Sequence, residues 1–69
     1  MKNNYFGKTL KQLRTEEHLS QQQLGDKLKF SNQSVSFWES GKREPDYDTL
    51  VLIAKFFNVT SDFLLGIEE

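Results

Sequence analysis

Sixty-nine residues without a cysteine make one small domain, expected to cover 1–69, and set aside disulfides, thiol catalysis and a zinc site while fitting a reducing cytoplasm. No apolar run approaches the roughly 18 residues of a membrane span, and the opening MKNNYFGK lacks the apolar core of a signal peptide, so a soluble, cytoplasmic chain is expected. The net charge of −1 hides an asymmetry: residues 1–43 hold eight Lys or Arg against four Asp or Glu, residues 44–69 one against six, so a basic half can face a polyanion, with chance sorting of solvated charges as the plainer alternative.

Asn4 is placed to cap a first helix, in which Phe6, Leu10 and Leu13 follow i, i+4, i+7 while Lys8, Lys11 and Gln12 turn outward. His18 and Leu19 close it. His18 has no second His, Cys or carboxylate cluster at ligand spacing, so it reads as a surface or helix-end residue, and no metal or cofactor is expected. Ser20 with Gln23 forms a capping-box pattern that starts a second helix, with Leu24 and Leu28 on one face. Gly25 costs about 1 kcal/mol in a helix interior, and close approach of the next helix is the expected reason.

Phe30 follows the break, Ser31 caps a third helix carrying Val35 and Trp38 on its inner face, and Gly41 ends that helix in a left-handed conformation. The basic turn KREPD is closed by Pro45, which a helix cannot pass. Asp46 then caps a fourth helix with Leu50, Ile53, Ala54 and Phe57 inward; Thr60 caps a short fifth with Phe63 and Leu64 inward; Glu68 and Glu69 end the chain. Of the aromatic residues, Phe6, Phe30, Trp38, Phe57 and Phe63 are expected in the core, and only Phe37 falls outward.

Two short helices meeting at a three-to-four-residue break across 20–41 read as a helix-turn-helix. Residues 6–66 resemble the phage repressor and Cro-like family, also called the XRE family, through LKQLRTEEHLSQQQLGDKL, SVSFWESGKREPD and DTLVLIAKFFNVTSDFLLG in order and register. The resemblance implies an all-α, compact five-helix domain of the lambda-repressor kind, whose second and third helices read DNA. It implies a structural salt bridge between Arg14 and Glu39, and sugar-phosphate contacts at Gln21, Ser31, Ser40, Lys42 and Arg43. The chain departs from the family at Lys29, where Gly is usual, and at Phe37, where a polar or basic residue is usual.

No nucleophile with a base, metal set, phosphate loop or pocketed carboxylate pair is visible, so the chain is not expected to be an enzyme. DNA reading fits better. Asn32 and Gln33 open the third helix, and either amide can meet N6 and N7 of adenine; Ser36 lies one turn on, and Phe37 can press on a thymine methyl. The expected function is sequence-specific binding of double-stranded DNA by a transcription regulator, a repressor of phage or prophage type. An antitoxin and a restriction-modification controller are alternatives in the same class, and a protein-binding adaptor or an RNA or single-strand binder using exposed aromatics in others. A homodimer on a two-fold operator is expected, with the apolar end Phe63 to Ile67 either forming the contact or packing in the core.

Overall fold

The computed structural model describes residues 4–67, so residues 1–3 of the opening stretch and the acidic end at 68 and 69 lie outside the described residues. Five helices follow one another: α1 (Tyr5–Glu16), α2 (Gln21–Leu28), α3 (Asn32–Ser40), α4 (Tyr47–Phe57) and α5 (Ser61–Leu65). Among the described residues there is no strand, and no helix is long and apolar enough to cross a membrane. The molecule measures 29 × 24 × 22 Å.

Every helix contributes to one core. Phe6 and Leu10 enter it from α1, Leu24 and Leu28 from α2, Val35 and Trp38 from α3, Leu50, Ile53 and Ala54 from α4, and Leu64 from α5. Most of these follow the three-to-four-residue spacing by which an amphipathic helix buries one stripe. The consequence is that α3 is gripped from several sides: α2 and α1 both pack on it, while α5 joins α1 to α4.

Two assignments, Asn4 as a helix cap and Phe63 as an inward residue, differ from the structure. Asn4 stands before α1 but in a left-handed conformation, φ 48°, and its side chain accepts no cap hydrogen bond. Its Nδ2 instead donates to the Glu39 carbonyl at 3.0 Å, satisfying one of the carbonyls that the end of α3 leaves without a helical partner. Gly7 makes room for this approach, since a Cβ there would lie 2.5 Å from the Trp38 carbonyl and 2.7 Å from that of Glu39. Phe63 is 38% exposed, whereas Leu64 is fully buried. Neighbouring residues project about 100° apart on a helix, so with Leu64 pointing into the core Phe63 is turned toward its edge.

The turns are built alike. His18, Lys29, Gly41, Asn58 and Gly66 all take positive φ, and in each case the next N–H reaches back five residues: Leu19 to Arg14, Phe30 to Gly25, Lys42 to Phe37, Val59 to Ala54 and Ile67 to Asp62. This is Schellman closure. Only two of the five positions are glycine, so Lys29, with φ 65° and standing between α2 and α3, adopts a conformation that Gly usually supplies. Gly25 is needed because the turn folds back on it. A Cβ there would stand 2.6 Å from the Phe30 carbonyl oxygen, so the close approach comes from the turn backbone and the cap of α3.

Four caps start helices α2 to α5. Ser20 and Gln23 form the reciprocal box, Ser31 accepts from Ser34 N–H, Asp46 from Thr49 N–H, and Thr60 from Phe63 N–H. Hydrogen bonds from the Thr49 side chain and backbone hold the Asp46 carboxyl below its ordinary pKa. A group whose folded pKa is depressed stabilises above its unfolded pKa, about 3.9 for Asp, and that contribution is lost as pH falls through the folded value. Asp46→Ala should therefore melt below wild type at neutral pH, with the gap closing on acidification below about pH 4. A gap in thermal midpoint that stays constant across the acid range would show that the ionised cap contributes nothing.

Candidate nucleic-acid interface

Helix α3 divides along its length. Val35 and Trp38 are buried on one side, Trp38 meeting the Phe30 ring edge-on at 5.1 Å between centroids. Asn32 and Gln33 are exposed in the first turn, and Ser36 and Phe37 are half-buried one turn on. At 100° per residue those four side chains fall on the side of α3 opposite Val35 and Trp38.

What fixes α3 is a charged hub at its far end. Arg14 donates from Nε to Glu39 Oε2 at 2.6 Å and from Nη2 to Oε1 at 3.0 Å, a bidentate fork, and from Nη1 to the Leu19 carbonyl at 2.7 Å. The two side chains are 10% and 5% exposed. Hydrogen bonding to Glu39, with its negative charge, raises the Arg14 pKa against the opposing effect of burial. Gln21 adds a third donor, Nε2 to Glu39 Oε1 at 3.1 Å. One carboxylate therefore joins α1, α2 and α3.

The residues assigned to the sugar-phosphate backbone fall into two groups. Ser31, Ser40, Lys42 and Arg43 are exposed at the two ends of α3. Lys42 and Arg43 are positioned by their own N–H groups, which both donate to the Phe37 carbonyl, at 3.0 and 3.3 Å. Gln21 is different, because its side-chain amide is already engaged with Glu39 and half-buried. Sequence reasoning also missed the lock formed by Asn4 on Glu39, and the placement of the Arg43 guanidinium 5.3 Å from the centre of the Phe37 ring. Both are contacts between residues far apart or across a turn, and no local pattern marks them.

A family model described as helix-turn-helix matches residues 10–64, a span that contains α2, α3 and the whole Arg14–Glu39 hub. The chain belongs to the helix-turn-helix family. The HTH-type transcriptional activator BcrR of Enterococcus faecalis is 48% identical over 64 residues, 93% of this chain and 31% of that protein. The HTH-type transcriptional regulator ImmR of Bacillus subtilis strain 168 is 38% identical over 64 residues, 93% of this chain and 50% of that protein. An SPbeta prophage-derived HTH-type regulator, YonR of the same strain, is 42% identical over 60 residues, 87% of this chain and 56% of that protein. This helix-turn-helix chain thus spans 31 to 56% of the length of these relatives.

Proposed function

We propose that this helix-turn-helix domain is a cytoplasmic, sequence-specific binder of double-stranded DNA that acts by binding alone, without catalysis, as a transcription repressor of phage or prophage type. The observation that carries the reading is the exposed amide pair Asn32 and Gln33 at the start of a helix whose opposite side is locked into the core. A helix entering the major groove end-on presents its first turn to base edges and its flanking cations to phosphates. Asn32, Gln33, Ser36 and Phe37 are the proposed base-reading set, and Ser31, Ser40, Lys42 and Arg43 the proposed phosphate set. Gln21, whose amide gives one hydrogen bond to Glu39, keeps a second N–H and its Oε1 at the positive end of α2 and joins the proposed phosphate set.

The test is a titration of duplex DNA at rising salt. Wild type should bind with a negative salt slope, and binding that ignores salt would favour a protein-binding adaptor. Lys42→Ala with Arg43→Ala should weaken operator and random duplex alike and flatten the slope by about two contacts, roughly 0.9 each; an unchanged slope would place this turn away from DNA. Gln33→Ala should lose about 1–3 kcal/mol on the operator and little on random duplex, because an amide pair discriminates among bases while phosphate contacts persist.

Two copies on a two-fold operator complete the reading, since one recognition helix spans only a few base pairs. The exposed Phe63 and Ile67 at the α5 end favour a contact there. Half-sites should lie about 10 base pairs apart, and a footprint over one isolated half-site at saturation would exclude the dimer. A second reading, activation, is favoured by the relative named an activator at 48% identity. A promoter reporter carrying the selected site separates them, because transcription falls with a repressor and rises with an activator.

A further inference from the structure

We propose that Phe37 is a positioning residue: its ring holds the Arg43 guanidinium against the side of α3, so that Arg43 meets DNA as an oriented planar group. The inference rests on the DNA-binding reading above and changes the part that Phe37 plays in it. After Gly41, at φ 81°, the chain reverses, and the Lys42 and Arg43 N–H groups both return to the Phe37 carbonyl. That reversal brings residue 43 back beside residue 37, where its guanidinium carbon lies 5.3 Å from the ring centroid. The distance is inside the roughly 6 Å within which a cation is attracted to a ring face.

A guanidinium drawn to a ring face keeps its N–H donors in a fixed fork, and those not turned to the ring stay available for a phosphate or a base edge. A lysine in the same turn has no such fit: Lys42 is exposed and offers a point charge on a flexible stem. Arg43 therefore loses less rotamer freedom on binding than a free arginine would, and this preorganisation is where its advantage arises. The stack also occupies a face of the Phe37 ring, which removes that face from contact with a thymine methyl.

The experiment measures wild type, Phe37→Leu, Phe37→Tyr, Arg43→Ala and the double variant Phe37→Leu with Arg43→Ala on a selected operator and on random duplex, with thermal melts of each. Phe37→Leu should weaken binding to both duplexes by about two- to fivefold, the scale of an exposed cation–π contact, and Phe37→Tyr should restore it. In the Arg43→Ala background Phe37→Leu should change nothing. An equal loss in both backgrounds overturns the proposal, as does a loss confined to one operator position with random duplex unaffected. A check that needs no variant is the upfield ring-current shift of the Arg43 side-chain protons in the free wild-type protein; ordinary shifts overturn the proposal even if Phe37→Leu fails to fold. Wild type that binds no duplex at low salt sinks the DNA-binding reading and this inference together, whereas wild-type binding with additive variants sinks the inference alone.

Discussion

Trp38→Ala is expected to bring the domain close to unfolding at room temperature. Trp38 is 5% exposed and sits where α3 meets the core, edge-on to Phe30. Truncating a buried tryptophan costs about 3–5 kcal/mol through lost burial and the cavity left behind. The whole stability of a chain this long is of order 3–10 kcal/mol, at the usual 0.05–0.15 kcal/mol per residue, so the loss is a large share of it. Urea titration followed by helical circular dichroism should show a much lower midpoint, and DNA binding should fail for all sequences at once. A midpoint near wild type would mean that the packing of α3 does not depend on this ring.

Glu39→Ala is expected to be nearly as damaging, for an electrostatic reason. The substitution strips Arg14 of its bidentate partner while leaving the guanidinium largely out of water, and it releases Gln21 as well. Breaking a buried pair by removing one member typically costs about 3–5 kcal/mol, mostly as the penalty for the charge left behind. The discriminating experiment is the double replacement Arg14→Met with Glu39→Leu. Two apolar side chains of similar volume carry no desolvation cost, so this variant should regain most of the lost stability in a thermal melt. If the double variant melts as low as Glu39→Ala, the hub acts through the geometry of its hydrogen bonds, and the unpaired charge is not the cause.

Local signals in the chain were legible because they act over three or four residues. Ser20, Ser31, Asp46 and Thr60 each cap the helix they precede, and the spacing of Leu24 to Leu28 and Val35 to Trp38 places both pairs in the core. What escaped was set by distance or by competition. Asn4 has the composition of a cap, but its amide finds the Glu39 carbonyl, 35 positions away. His18 and Asn58 end helices in left-handed geometry without glycine to announce it. Hydrophobicity alone predicts Phe63 inward, yet it projects about 100° away from the buried Leu64 and stands partly exposed. On the candidate interface, the exposure of Asn32 and Gln33 follows from the same periodicity that buries Val35. The engagement of Gln21 and Arg43 depends on which helices meet, and that is a property of the folded molecule.

The two-sidedness of α3 bears on how such a domain can change over generations. Val35, Trp38 and Glu39 hold the helix, whereas Asn32, Gln33, Ser36 and Phe37 interleave with them on the opposite side. Asn32 and Gln33 are exposed, and exposed substitutions away from packing usually move stability by no more than about 0.5 kcal/mol, so these two positions can mutate without passing through an unfolded ancestor. Selection can then explore new targets one residue at a time on an unchanged scaffold. A library randomised at Asn32 and Gln33 should yield mostly folded members, whereas changes at the half-buried Ser36 and Phe37 should be filtered by packing as well.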